Sequence, residues 1–434
     1  MVLKTKANLK MNTSLYRLLS TIRLILYHRR SLVLLGLVVL WPMHSFGLGV
    51  RIPNQDAEAI GRGNAFVATA NNPSALYYNP AGITQLKGHN VQVGALNYLG
   101  IISQYDSPTG NDSETEFEVI PAPQLYYTYS PQKTPLALGL GVYAPFGLGL
   151  EWPEDTGFRS LAIEGRIQYI TLNPVVAWQV HRTFSVAIGP TFNYSKIELR
   201  RGLASPTDEF KFEGDDFAYG FNAGLLWQPH PKWSFGANYR SATRLDYEGD
   251  SKYNPNIPGV SIPPADTSAK FQYPQIVSAG VSFRPTPQWN IEANVDWTDW
   301  NTLNTVTLKG TQNLGLFPFD LSLPLNWRGS WFYEIGATRY LGKGYFVSAG
   351  YFFSSNSTSE RDFTPAVPDT DLHVGSLGGG YKGEHWRWAI AAQFITGPWR
   401  DVNASQPNPI TGESANGKYR LITPAVTVSL GYHF

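Results

Sequence analysis

Phe217-Ala218-Tyr219-Gly220-Phe221-Asn222-Ala223-Gly224-Leu225-Leu226-Trp227 carries a bulky or apolar side chain at every second position from Phe217 to Trp227. Ala218, Gly220, Asn222 and Gly224 stand between them. Successive side chains of a strand point to opposite faces, so the stretch has one oily face and one small or polar face. Trp289, Ile291, Ala293, Val295 and Trp297 repeat the pattern against Asn290, Glu292, Asn294, Asp296 and Thr298. A soluble sandwich would show the same alternation with its oily face turned inward. The rest of the chain decides between the two.

Working outward from these segments, fourteen strand-like stretches can be placed between residue 89 and Phe434. Their links alternate long and short. Short ones fall at 130–134, 180–183, 228–232, 284–288, 342–344 and 382–385; long ones lie near 102–116, 146–164, 198–214, 246–270, 310–326, 355–371 and 397–418. All tight turns can then share one end and all long loops the other, the asymmetry of an outer-membrane barrel with short periplasmic turns and long outward loops. Trp178, Trp227, Trp233, Trp289, Trp386 and Trp388 sit beside the short turns, as do Tyr127, Tyr129, Tyr340 and Tyr345. Aromatics gathered on one rim suit a headgroup-level girdle, whereas a sandwich core would hold its tryptophans mid-strand. Val426, Val428, Leu430, Tyr432 and Phe434 share one face of a strand that ends the chain. That ending resembles the C-terminal signal of outer-membrane proteins and implies handling by the outer-membrane insertion machinery through Phe434. The expected fold is all-β: a 14-stranded antiparallel transmembrane barrel over 89–434, bathed in outer-membrane lipid.

Composition agrees. With 34 basic and 33 acidic residues the net charge is +1, which gives no field for nucleic acid. Cysteine is absent, as suits a chain crossing an oxidising periplasm. Mean hydropathy is slightly negative, and past residue 41 no apolar run approaches the ~18–20 residues of a membrane helix. Lys4, Lys6, Lys10, Arg17, Arg23, Arg29 and Arg30 precede the apolar run Ser31–Trp41, and Ser45 and Gly47 fit a cleavage site. Residues 1–47 therefore read as a signal peptide, with the mature chain beginning near Leu48.

Residues 48–88 have another texture, rich in small residues and in the turn-forming pairs Asn72-Pro73 and Asn79-Pro80. Fourteen strands exceed the eight whose side chains fill a barrel, so this segment reads as a hatch closing the lumen. The run Gly61-Arg62-Gly63-Asn64-Ala65-Phe66-Val67-Ala68, followed by Asn72-Pro73-Ser74-Ala75-Leu76-Tyr77-Tyr78-Asn79-Pro80-Ala81-Gly82, resembles the hatch of the outer-membrane long-chain fatty acid and hydrophobic compound transporters (the FadL/TodX family). Val142-Tyr143-Ala144-Pro145-Phe146-Gly147, Asp296-Trp297-Thr298-Asp299-Trp300 and Thr364-Pro365-Ala366-Val367-Pro368-Asp369 fit the same pattern. The resemblance implies a plugged barrel, a monomer, and uptake of fatty acids or hydrocarbons with sideways release into lipid. Asn71-Asn72 stands where the family often has an acidic pair.

Several residues become candidates. Asn79, Pro80, Ala81 and Gly82 form the hatch motif. The resemblance implies an inward kink in the third strand, where Gly139, Gly141 and Pro145 are candidates for a lateral opening, since glycine weakens a strand and proline removes a ladder donor. Oily stretches offer capture candidates: Phe317, Phe319 and Leu321 in the 310–326 loop, and Phe210 and Phe212 in the 198–214 loop. Arg166, Arg240 and Arg387 are strand arginines that could meet a carboxylate head. A polar-solute porin, an adhesin-type barrel or an outer-membrane lipase are the alternatives. For an enzyme only His373, near Asp369 and Asp371, is placed as a base, and neither a serine elbow nor metal-ligand spacing accompanies it; no catalytic residue, cofactor or metal is expected.

Overall fold

The computed structural model describes residues 49–99, 102–310 and 320–434; the expected signal segment 1–47, Leu48, Phe317 and Phe319 lie outside the described residues. Fourteen antiparallel strands close into a barrel. β1 runs Gly88–Leu99 and resumes at Ile102–Asp106; β2 is Val119–Ser130; β3 is Leu136–Tyr143 and, after a break, Gly147–Glu151. β4 (Glu164–His181), β5 (Phe184–Arg201) and β6 (Glu209–His230) are long and unbroken. β7 combines Trp233–Arg240 with Thr243–Asn254, and β8 combines Ala265–Tyr273 with Ile276–Phe283. β9 is Trp289–Thr298 with Thr305–Lys309 beyond it, and β10 is Ser330–Gly342 preceded by Leu321–Pro324. β11 (Tyr345–Ser354), β12 (Leu372–Lys382), β13 (Trp386–Thr396) and β14 (Gly417–His433) complete the wall. Each strand pairs with its neighbours in sequence, and β1 pairs with both β2 and β14, at Asn90↔Thr128 and Asn90↔His433. Closure removes the free sheet edges except along an interruption between β2 and β3.

The oily face points outward. Phe217, Tyr219, Phe221, Leu225 and Trp227 are exposed, while Ala218 and Asn222 between them are buried. Trp178, Trp233, Trp289, Trp386 and Trp388 are exposed beside the short turns, forming the aromatic rim that an interface selects.

The expected long loops at 198–214 and 246–270 are largely strand. β5 continues to Arg201, β6 starts at Glu209, and only 202–208 and 255–264 remain as loops there. Past the membrane belt the alternation inverts. Leu199, Phe210 and Phe212 turn inward, while Glu198, Arg200, Lys211 and Glu213 take the outer row. Charged residues outside and apolar ones inside suit a strand that has left the lipid, and read as sequence they look like an oily loop.

Because the chain holds no cysteine, single thiols report its orientation cleanly. Val260→Cys, in the exposed 255–264 loop, should react with a membrane-impermeant thiol reagent on whole cells. Pro231→Cys, in a short turn, should react only after the outer membrane is permeabilised; the reverse pattern would invert the barrel.

Residues 53–70 are buried throughout. Two one-turn helices, α1 (Ala57–Ile60) and α2 (Ala75–Tyr78), and a 3₁₀ turn (Pro80–Gln85) interrupt an irregular path. Lumen-facing glycines make room for it. A Cβ on Gly236 would strike the Val67 carbonyl, one on Gly336 the Arg62 carbonyl, and one on Gly350 the Arg62–Gly63 peptide.

Candidate functional site

The hatch motif is a hydrogen-bonded corner. Asn79 caps the 3₁₀ turn by accepting from the Ala81 amide at 3.2 Å, and its side-chain amide donates to the carbonyls of Val67 (2.8 Å) and Leu225 on β6 (2.9 Å). Pro80 opens the turn, where its missing N–H costs nothing. Gly82 packs directly on the backbone of Ala70. Asn72 donates to both Asp56 (2.8 Å) and Glu58 (3.1 Å). A carboxylate there would join two others, so an amide is what this corner requires. Burial and the Glu58 charge push Asp56 up. Burial also raises Glu58, but Lys382, Arg62 and Arg387 outweigh it and bring that carboxyl down to about 2.

Above the hatch, toward the long-loop end, lies a cavity of about 640 Å³. That is within the ~300–1,000 Å³ range of small-molecule sites. Its wall is apolar: Ile167, Leu199, Phe210, Phe212, Phe271 and Leu308 from the inner rows of β4 to β9, with Leu321 and Leu323 closing one side. The three described capture candidates, Phe210, Phe212 and Leu321, thus meet in one chamber. Toward the hatch the next inward residues form an aromatic layer. There Phe146 stands 5.2 Å from Tyr169 and 4.8 Å from Tyr273 between ring centres.

One buried cation among the described residues faces this chamber without a partner, whereas Arg361, also on the lining, is exposed. Arg201 ends β5 on the inner row opposite Phe210, is 8% exposed, and has no hydrogen-bond or ion-pair partner among the described residues. It stood in a stretch that reads as loop, so sequence gave no reason to turn it inward. The three arginines singled out from sequence are placed otherwise. Arg166 is ion-paired on the outer row of β4. Arg240 lies buried below the aromatic layer, 2.9 Å from the Tyr143 hydroxyl. Arg387 lies near the short-turn end, beside Glu58. His373 is on the outer face with its ring nitrogen 2.6 Å from the Tyr351 hydroxyl, while Asp369 is buried against Ser357, so no base and acid come together there.

The wall itself is interrupted. β2 and β3 pair only from Tyr129↔Leu138 to Leu125↔Val142. Beyond that, β2 pairs with β1 alone and the second half of β3 with β4 alone. The two rejoin through one bond, Glu116 N–H to the Glu151 carbonyl at 2.8 Å. Gly139 and Gly141 lie within the fully paired stretch, where Gly139 faces Leu76 of α2. Pro145 sits at the break. There the N-terminal segment supplies what β2 does not. Ile52 N–H donates to the Pro145 carbonyl (2.8 Å), Gly147 N–H to Val50 (2.9 Å), and the Gln55 amide to Ala144 (2.7 Å).

A closed transmembrane barrel with an internal plug, an oily chamber above it and a mid-wall break is the architecture of a membrane channel for apolar cargo. The chain belongs to the family of outer membrane protein transport proteins (OMPP1/FadL/TodX), whose model matches residues 43–388. It is a protein of the Gram-negative outer membrane. It is 21% identical over 378 residues to the long-chain fatty acid transport protein of Escherichia coli O6:H1, covering 77% of this chain and 83% of that one. Outer membrane protein P1 of Haemophilus influenzae is 22% identical over 375 residues, 74% of this chain and 80% of the relative. Among solved structures, a FadL homologue of Pseudomonas aeruginosa superposes with a TM-score of 0.75 at 20% identity, covering 89% of this chain and all of the other. The toluene transporter TbuX of Ralstonia pickettii superposes at 0.69 with 16% identity, covering 88% and 99%.

Proposed function

We propose that the chain takes up long-chain fatty acids, holding the acyl tail in the apolar chamber and the carboxylate at Arg201, and releases them sideways through the break between β2 and β3. Arg201 is the observation that carries this reading. A buried, unpaired guanidinium is costly, and the cost is relieved when an anion enters beside it. A carboxylate does that and a plain hydrocarbon does not. The tail contributes up to ~0.8 kcal/mol per buried CH₂, which favours long chains over short. The same chamber would accept toluene-like molecules, the cargo of the structurally similar toluene transporter TbuX, but they would leave Arg201 unpaired.

Arg201→Met keeps the apolar stem and removes the charge. Losing a hydrogen bond to a charged group costs ~1.5–3 kcal/mol, so uptake of labelled oleate at limiting concentration should fall about ten- to hundredfold. Uptake of labelled toluene by the same cells should hold or rise. Equal loss for both, or for neither, would remove the carboxylate from the reading and leave a hydrocarbon channel.

A further inference from the structure

We infer that Arg166 and Glu118 are the latch of the wall break, so that parting this ion pair limits how fast cargo leaves sideways. The inference rests on the lateral release proposed above.

Three observations place the latch. First, the second half of β3 is displaced inward. Ile120 continues the inner row of Ala122, Gln124 and Tyr126 on β2, yet its δ-methyl occupies the place a Cβ on Gly149 would take. Gly149 is in register with Arg166 of the outer row. The inner face of β2 therefore lies over the outer face of β3, and only a glycine at 149 permits it.

Second, Arg166 reaches across Gly149 and grips β2. Its two terminal nitrogens meet the two Glu118 oxygens at 2.8 and 2.6 Å, the fork geometry that gives a guanidinium–carboxylate pair direction as well as attraction. Its Nε holds Glu164, and Glu151 lies 3.6 Å away. Apart from the single Glu116–Glu151 backbone bond, this fork is the tie between β2 and the β3–β4 wall along the break, among the described residues.

Third, the latch is breakable and well placed. The side chains of Arg166 and Glu118 are 32% and 30% exposed, where ion pairs are modest and salt screens them. Arg166 also lines the chamber, so the tie stands between stored cargo and the break.

The local charge makes the latch asymmetric. Glu118, Glu151 and Glu164 share Arg166 and Arg200, and Glu154 and Glu209 also pair with Arg200. Removing Glu118 takes one carboxylate out of an acidic cluster and eases its repulsion. Removing Arg166 leaves every carboxylate in place with one arginine fewer, and their added repulsion helps the opening.

The test uses the full chain in cells lacking other uptake routes, with labelled oleate and folded protein counted by its resistance to detergent unfolding. Glu118→Gln should raise initial uptake about threefold and Arg166→Gln should raise it further, the range an exposed pair commands. The exchange Glu118→Arg with Arg166→Glu should return it toward the wild-type rate, which a merely structural loss would not. Wild-type uptake should climb with ionic strength and Glu118→Gln should not; this arm stands even where a substitution lowers folded yield. In a separate arm, Ile120→Cys with Gly149→Cys, oxidised, should stop uptake reversibly while purified protein still binds oleate. If the oxidised pair transports normally, lateral release fails and the latch with it. If oxidation blocks uptake but the charge variants and the salt series leave its rate unchanged, the latch alone is overturned.

Discussion

Valine at both Gly336 and Gly350 should convert the closed barrel into a conducting one. The two glycines are cross-strand partners on β10 and β11, and the Arg62–Gly63 peptide of the hatch lies directly on them. The hatch cannot step aside locally, because Gly63 holds φ +65° against the backbone of Tyr351, a conformation few other residues adopt. Forcing side chains into a filled core costs ~1–3 kcal/mol each, and here the intruded atoms are backbone. The loop at 61–64 must then lift from the wall, opening water-filled space in a barrel too wide to be closed by its own side chains. Purified double variant in a planar bilayer should show a large steady conductance, and cells expressing it should become sensitive to antibiotics that the outer membrane normally excludes. Gly375→Val is the control, since a Cβ at that position meets nothing within 4 Å. A double variant as silent as the wild type would mean that the hatch is not seated by these glycines.

The barrel was legible because its physics is repetitive. Period-2 alternation in Phe217–Trp227 and Trp289–Thr298, tight links on one side only and tryptophans beside them each follow from a wall between lipid and lumen. Gly336 and Gly350 were as visible as any residue, but a glycine in a strand does not say what it makes room for. The chamber was legible in part. Phe210, Phe212 and Leu321 were found as oily residues, yet all three lie in strands that read as loop, Phe210 and Phe212 because the inside–outside pattern inverts above the lipid. Arg201 was hidden by the same inversion, since its direction depends on strand register rather than on its neighbours in sequence. Pro145 marked the interruption in β3, because a missing donor is a local property. The use of Val50 and Ile52 to fill that interruption is a tertiary fact with no local signature.

Replacing Arg51 should unfasten the segment that covers the break. Val50 and Ile52 bond to β3, and between them the Arg51 side chain crosses to the opposite wall. It pairs with Asp296 and donates to the Thr298 hydroxyl at 3.0 Å on β9, with its guanidinium 4.4 Å from the ring centre of Phe332 on β10. Arg51 and Asp296 side chains are 3% and 5% exposed, so solvent can neutralise neither. Arg51→Leu strands the Asp296 carboxylate close to Glu334, another buried acid, and breaking one side of such a pair costs about 3–5 kcal/mol. That exceeds the ~0.5–1.5 kcal/mol of each backbone bond at Pro145 and Gly147, so the segment should leave β3 while the barrel stays closed elsewhere. Amide exchange at Ile52 and Gly147 should accelerate by about two to nearly four orders of magnitude, from the same 3–5 kcal/mol, with the β5–β6 ladder unaffected. Adding Asp296→Leu to Arg51→Leu removes the stranded charge and should recover much of the protection, the non-additivity that a direct pair requires. Unchanged exchange in the single variant would show that the backbone bonds at Pro145 and Gly147 hold the segment without the ion pair.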